Sequence, residues 1–115
     1  MEDFNIIESE RSTVKILYLE GFLDAHTSSA LENTLNKLLD RKQYNIVVNF
    51  KKLSYISSAG LGVFMAYIEQ ARSNGGDIKL CEMSEKIFNI FDMLGFPLLF
   101  EIFKEESKAI EKFSV

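Results

Sequence analysis

The stretch V-V-N-F-K-K-L-S-Y-I-S-S-A-G-L-G-V-F, residues 47–64, decides how the rest of the chain is interpreted. Its apolar, β-branched start belongs to a run that predicts a buried strand over residues 45–50. After the glycines, Leu61, Phe64 and Ile68 recur at helical spacing, which predicts a helix. Two serines and two glycines therefore lie at a strand-to-helix junction, and this junction is the first place to look for function.

The two serines of the junction, Ser57 and Ser58, allow three interpretations: a helix cap, a nucleophile and a phosphate acceptor. A capping hydroxyl accepts a backbone N–H from the first helical turn. The same position suits a phosphate, because free N–H groups and the helix dipole favour negative charge there. Gly60 and Gly62 each cost about 0.5–1 kcal/mol relative to alanine inside a helix. They indicate either close approach of another molecule or tight packing against a neighbouring strand.

Upstream of the junction, the pattern predicts a β-hairpin followed by a helix. Residues 4–8 and 13–19 are typical of strands, with a polar turn over residues 9–12 and an end to the pattern at Gly21. A stripe of leucines at i, i+4, i+7 and i+8 then predicts a helix that begins near Thr27. Its members are Leu31, Leu35, Leu38 and Leu39.

Downstream of the junction, strands and helices continue to alternate. A strand is predicted at residues 78–81, a helix capped by Ser84, a short strand at residues 98–103 and a closing helix at residues 105–113. The resulting order is β-β-α-β-α-β-α-β-α. Strands separated by helical crossovers predict an α/β fold with a mixed sheet, in which the leading hairpin supplies an antiparallel pair.

Composition narrows the classes of function. The chain has 115 residues, of which 47% are hydrophobic, and a net charge of -4, which fits one folded domain. An acidic chain without a basic cluster disfavours direct binding to nucleic acid or to an anionic membrane. No apolar run reaches the length of about 18–20 residues that spans a bilayer. The acidic start differs from a signal peptide, so we expect a cytoplasmic location.

The residues that usually carry catalysis or bind metals are sparse. His26 and Cys81 are the only histidine and cysteine, which gives no metal cluster, and the P-loop pattern is missing. We expect Cys81 to be buried and inert. A serine enzyme would have to use His26 as its base, with Ser58 as nucleophile, and neither serine lies in G-x-S-x-G. We therefore expect no cofactor and no enzymatic activity, with a small serine-dependent enzyme as an alternative.

Two motifs together resemble a known family. Residues 47–64 are similar to the central motif of STAS-domain anti-sigma factor antagonists, an apolar strand followed by Asp-Ser-[Ser/Thr/Ala]-Gly-[Leu]-Gly and a helix. E-G-F-L-D-A, residues 20–25, resembles the family's Gly-x-[Leu/Ile]-Asp, and the chain length, the element order and N-G-G at residues 74–76 also fit. The resemblance implies a single STAS domain over residues 1–115. It also implies a mixed four- to five-stranded sheet with helices mainly on one face.

The resemblance implies a partner-switching function. Such a protein, when unphosphorylated, binds an anti-sigma factor that is also a serine kinase, and so releases a sigma factor. The kinase phosphorylates a serine at the start of the second helix, and a serine phosphatase reverses the modification. The alternative within the fold is a scaffold or partner-switch module with a signalling output other than a sigma factor.

The family's site residues carry over onto this chain position by position. Ser58 takes the motif's first serine position, Ala59 takes the second, and Ser57 stands in place of the aspartate. Members with Ser-Ala here are read as using the serine before the alanine, so the resemblance implies phosphorylation of Ser58, with Ser57 as the alternative. Asp24 matches a loop beside the phosphosite, or else caps the first helix. The implied partner surface comprises Asp24, Ser57, Ser58, Ala59, Gly60, Leu61 and Gly62.

Overall fold

The predicted order of strands and helices is confirmed by a computed structural model, which describes residues 4–95 and 99–113. Within these ranges the chain forms five strands and four helices. The strands are β1 (Phe4–Arg11), β2 (Val14–Leu23), β3 (Asn45–Ile56), β4 (Asp77–Cys81) and β5 (Ile102–Phe103). The helices are α1 (Ser28–Asp40), α2 (Ser58–Ser73), α3 (Glu85–Met93) and α4 (Glu106–Glu111). Residue 98, where the last strand was predicted to begin, lies outside the described residues.

The five strands form one mixed sheet in the order β1-β2-β3-β4-β5. β1 and β2 pair antiparallel, and the remaining neighbours pair parallel, as the hairpin and the helical crossovers predict. The hairpin turn falls on Ser12 and Thr13, later than predicted, because the ladder continues to the pair Arg11 and Val14. Ser12 has a φ of 58°, and a positive φ at the first central residue is what two-residue hairpin turns need.

Gly21 does not end β2, contrary to the prediction. The strand continues to Leu23, and its pairing with β3 shifts register on both sides of Gly21. Gly21 has a φ of 96°, which side-chain-bearing residues rarely adopt, so the glycine forms a bulge rather than a strand end. β3 likewise runs beyond the predicted residues 45–50 as far as Ile56, which pairs with Leu23. Both strands therefore end side by side, directly before the candidate site.

The helices lie mainly on one face of the sheet, as expected. The main core joins that face to α1, α2 and α3, and the four leucines of the predicted α1 stripe are all buried in it. The other face carries a smaller cluster in which Val47 and Cys81 pack beneath Ala109 of α4. This short helix covers one part of the second face, and the remainder of that face is open around Ile7 and Tyr18.

Candidate functional site

The strand-to-helix junction is built around Ser57. This residue is the N-cap of α2, and its Oγ accepts the backbone N–H of Gly60 at 3.3 Å. Its own N–H donates to the carbonyl oxygen of Leu23 at 2.9 Å. Ser57 therefore fastens the start of α2 to the end of β2, and its hydroxyl is engaged inside the junction.

Ser58 is the first residue of α2 and has a different environment. Its side chain is exposed, and its hydroxyl makes no hydrogen bond with any other residue that the structure describes. Ala59, the next residue, is also exposed. The Ser58 hydroxyl thus stands at the positive end of a 16-residue helix and is open to solvent.

Gly60 and Leu61 position the helix and do not add side-chain surface. Both are buried, and Leu61 is only 2% exposed. A Cβ on Gly60 would lie 2.7 Å from Cγ of Leu23 and 3.1 Å from Cγ1 of Ile56. Tight packing against a neighbouring strand, one of the two interpretations of the glycines, therefore accounts for Gly60. The side chain of Leu61 belongs to the core, so it is not exposed for contact with a partner.

Gly62 has the opposite environment. It is exposed on α2, and a Cβ built there would meet nothing within 4 Å. Its φ is not in the left-handed region, so backbone conformation does not require glycine either. Packing within the described chain therefore gives no reason for a glycine at this position.

The loop that carries Asp24 is ordered by hydrogen bonds between its own residues and the end of β2. Asp24 Oδ1 accepts the N–H of His26 at 2.9 Å and that of Thr27 at 3.2 Å. Thr27 Oγ1 accepts the Asp24 N–H at 2.9 Å and donates to the carbonyl oxygen of Phe22 at 2.8 Å. Thr27 occupies the N-cap position of α1 without a side-chain cap bond. Asp24 therefore orders the loop before α1, and it is partly exposed beside the Ser57 junction.

His26 is not joined to the serines. It is exposed, and among the described residues no hydrogen bond links its ring to Ser57 or Ser58. The Ser57 hydroxyl is already occupied as an acceptor of the Gly60 N–H. In residues 4–95 and 99–113, no group of three side chains that could hold a metal ion is present. None of the helices described is long and apolar enough to cross a membrane.

Comparison with known proteins assigns this chain to a family. Residues 5–109 match the family model of the STAS domain. The chain belongs to the STAS domain family. This STAS chain is 29% identical over 103 residues to the anti-sigma F factor antagonist of Paenibacillus polymyxa, covering 89% of this chain and 88% of that protein.

Solved STAS structures have the same fold. An anti-sigma factor antagonist from Mycobacterium paratuberculosis superposes with a TM-score of 0.88 at 15% identity, covering 96% of this chain and 93% of that one. The Bacillus cell fate determinant SpoIIAA in its phosphorylated form superposes with a TM-score of 0.73 at 20% identity, covering 96% and 99% of the two chains. The mixed sheet with four helices is therefore the STAS fold.

Two residues of this STAS surface escaped the sequence-based prediction. Phe22 is 54% exposed and Tyr55 is 41% exposed, each two residues before a predicted site residue. An aromatic residue in a strand is normally expected in the core, so the residue type alone does not show that these two side chains are exposed. Their positions, two residues before Asp24 and Ser57, are the sequence signal that could have identified them.

The second face of the sheet carries a polar cluster away from the serines. Tyr18 Oη donates to Glu106 at 3.0 Å, and Asn49 Nδ2 donates to the other oxygen of that carboxylate at 2.8 Å. Burial, and then the hydrogen bond to Glu106, raises the pKa of Tyr18 above 10.0. Burial, followed by the Glu106 and Glu82 carboxylates, raises the pKa of Cys81 to about 12. Cys81 is fully buried, which confirms the prediction that it is buried, and at neutral pH its thiol is protonated.

Proposed function

We propose that this STAS domain is an anti-sigma factor antagonist controlled by phosphorylation of Ser58. In its unphosphorylated form it binds an anti-sigma factor that is also a serine kinase, and the bound kinase releases its sigma factor. Phosphorylation by that kinase ends the binding, and a serine phosphatase restores it. Residues 1–115 act as one domain, in the cytoplasm, where the kinase and its ATP are found.

The exposed, unbonded hydroxyl of Ser58 at the start of α2 is the observation that carries the proposal. A kinase needs a side-chain oxygen that can enter its active site, and this hydroxyl is exposed with no bond to break among the described residues. Ser57 is the weaker candidate because its Oγ is partly buried and already accepts the Gly60 N–H. Transfer to Ser57 would disturb a cap that contributes about 1 kcal/mol to stability.

The charge of a phosphate explains how one modification can end binding. Phosphoserine carries about -1.5 to -2 charges at neutral pH. Within this chain, the N-terminus of α2 favours that charge, and water solvates it because Ser58 is exposed. Against a docked partner the same group would lose its water, which is costly unless a cation meets it. Phosphorylation therefore acts on docking and leaves the fold intact.

The shape of α2 beside Ser58 supports close docking. Ala59 and Gly62 are exposed and small, so they leave the helix backbone open to a partner on this side. Asp24 lies in the adjoining loop, which the bond from the Ser57 N–H to the Leu23 carbonyl ties to the junction. Asp24, Ser58, Ala59 and Gly62 are the residues that we propose contact the partner. Ser57, Gly60 and Leu61 hold that surface in place.

The test is a binding titration with each serine-kinase anti-sigma factor encoded in the same genome, purified and mixed with the unphosphorylated chain. We expect one of them to bind, and we expect Ser58→Ala to retain that affinity. Ser58→Asp is expected to bind at least about tenfold more weakly, because it places a charge in the interface. Incubation with the kinase and ATP, followed by mass spectrometry, should find the phosphate on Ser58.

Ser107→Asp provides the matched control. Ser107 is an exposed serine in the first turn of α4, which packs on the opposite face of the sheet. The same change of charge there should leave the affinity unchanged. If none of the anti-sigma factors binds the unmodified chain, or if Ser58→Asp binds as tightly as Ser58→Ala, the proposed function is wrong.

A further inference from the structure

An exposed pair of aromatic rings adjoins the proposed switch. Phe22 and Tyr55 are direct partners in the β2–β3 ladder. Their ring centroids are 6.1 Å apart, with the ring planes tilted by 58°. The neighbouring residues Leu23 and Ile56 are almost fully buried, so the core is complete without these two rings. Two large rings held together at the surface are a feature that packing within the described chain does not require.

The backbone holds the two rings on a rigid platform. The register shift after Gly21 sets the position of Phe22 against Tyr55, and bulges commonly redirect a side chain next to a functional site. The Phe22 carbonyl accepts the Thr27 hydroxyl at 2.8 Å. Both rings are also anchored by strand pairing. Little conformational entropy is lost when such preorganised rings bind another surface.

The aromatic pair is continuous with the surface that we propose for docking. Phe22 precedes Asp24 by two residues, and Tyr55 precedes Ser57 by two. The strand ends that carry them are bonded to each other through the Ser57 N–H and the Leu23 carbonyl. The two rings therefore lie at the same edge of the sheet as Ser58 and the Asp24 loop.

We infer that Phe22 and Tyr55 form an aromatic anchor that inserts into an apolar recess of the anti-sigma factor and selects which anti-sigma factor is bound. This inference rests on the proposed function and adds that the anti-sigma factor must have an apolar recess. Aromatic side chains supply a large contact area at low entropy cost, and they are enriched among the residues that dominate binding energy. The rings add affinity and selectivity, and Ser58 adds control.

A second copy of this chain is a poor occupant of the same surface. Glu20 and Asp24 lie two residues before and two residues after Phe22, and the chain carries a net charge of -4. Lys52 Nζ lies 4.0 Å from a carboxylate oxygen of Glu20, and the Lys52 side chain is itself well exposed. A symmetric contact would bring these carboxylates towards their copies, and like charges facing each other oppose association.

The test compares aromatic variants in the titration with the anti-sigma factor that binds the unmodified chain. Phe22→Ala and Tyr55→Ala should each weaken binding by about tenfold or more, the size expected for truncating an interface anchor. Phe22→Tyr and Tyr55→Phe keep the rings and should stay within about threefold. The exposed Met93 ends α3, which leads away from the carboxyl edge of the sheet, so Met93→Ala should not alter affinity.

The outcomes separate this inference from the proposed function. If the unmodified chain binds and Ser58→Asp weakens binding, yet both alanine variants bind within about threefold, the anchor is wrong and the function stands. If no anti-sigma factor binds the unmodified chain, both fail. A concentration-dependent dimer that Phe22→Ala abolishes in sedimentation would assign the rings to a second copy. The loss in Phe22→Ala should persist from about 50 mM to about 500 mM salt, and its disappearance would refute an apolar recess.

Discussion

Gly60 and Gly62 lie two residues apart in α2, and replacing each with alanine should change stability in opposite directions. Alanine is favoured over glycine inside a helix by about 0.5–1 kcal/mol at both positions. What differs is the space around the new methyl group. At Gly60 it would lie 2.7 Å from Leu23 Cγ and 3.0 Å from the Leu23 carbonyl oxygen. At Gly62 it would meet nothing within 4 Å.

The magnitudes follow from these distances. Overpacking a closed site costs about 1–3 kcal/mol, because side chains leave their preferred rotamers or the backbone shifts. The contact with a backbone oxygen cannot be relieved by a rotamer change, since it needs movement of α2 away from β2. After subtracting the gain in helix propensity, Gly60→Ala should destabilise the chain by about 0.5–2 kcal/mol. Gly62→Ala should stabilise it by up to about 1 kcal/mol.

Urea denaturation monitored by circular dichroism measures both changes. With a slope of about 2 kcal/mol per molar urea, Gly60→Ala should lower the unfolding midpoint by about 0.25–1 M. Gly62→Ala should raise it by up to about 0.5 M. A Gly60→Ala variant as stable as the unmodified chain would refute the packing account of the junction. A Gly62→Ala variant that loses stability would show that the new methyl group clashes with another part of the chain, and so would refute the open space around Gly62.

The same Gly62 variant separates folding from binding. Under the proposed function, the methyl group occupies space that the partner approaches, so the more stable variant should bind the anti-sigma factor more weakly. Stabilisation together with weaker binding cannot arise from partial unfolding. Unchanged binding would place the docking surface away from this part of α2.

Two further predictions concern stability. Ser57→Ala removes the cap bond to Gly60 and should lower the free energy of unfolding by about 1 kcal/mol, and Ser57→Gly should cost less, as measured by urea denaturation. Burial raises the pKa of Cys81 from 9.0 to about 12, so its contribution to stability is complete below pH 9 and is lost as the pH rises through 12. Stability should therefore fall less steeply over that pH window in Cys81→Ala than in the unmodified chain, and equal slopes would contradict the buried thiol.

The elements that the sequence predicted well are those with one dominant period. The four leucines of α1 recur at helical spacing, and all four are buried. β3 was predicted too short because its environment changes along its length. Its first half is buried on both faces, whereas from Lys51 onward exposed residues interrupt the apolar pattern although pairing with β2 continues. The apolar pattern of the sequence reports burial, whereas the extent of a strand is defined by its backbone hydrogen bonds, so the pattern ended before the strand did.

The site residues were predicted as a set, and their individual environments depended on helix phase. Leu61 lies three residues before Phe64 and seven before Ile68, so its spacing already indicated the buried face of α2. The resemblance to the family motif nevertheless implied that Leu61 contacts the partner. Gly60 and Gly62 cannot be told apart in the sequence, because the difference between them is the distance to Leu23, a residue of another strand. The environment of Phe22 likewise depends on another strand, since a register shift beside Gly21 pairs Phe22 with Tyr55.

The adjacent serines divide two tasks that one residue would combine poorly. A capping hydroxyl must point into the first turn to accept its N–H, so its oxygen is committed to stability. The next residue is already helical and points its side chain outward, with no such commitment. In this chain Ser57 holds the turn and Ser58 stays exposed. Under the proposed function, a phosphate on Ser58 would leave the cap in place, and the phosphorylated domain would stay folded for a phosphatase to restore it. The proposed reversible switching requires that separation, because a modification that opened the junction would release the end of β2 together with α2.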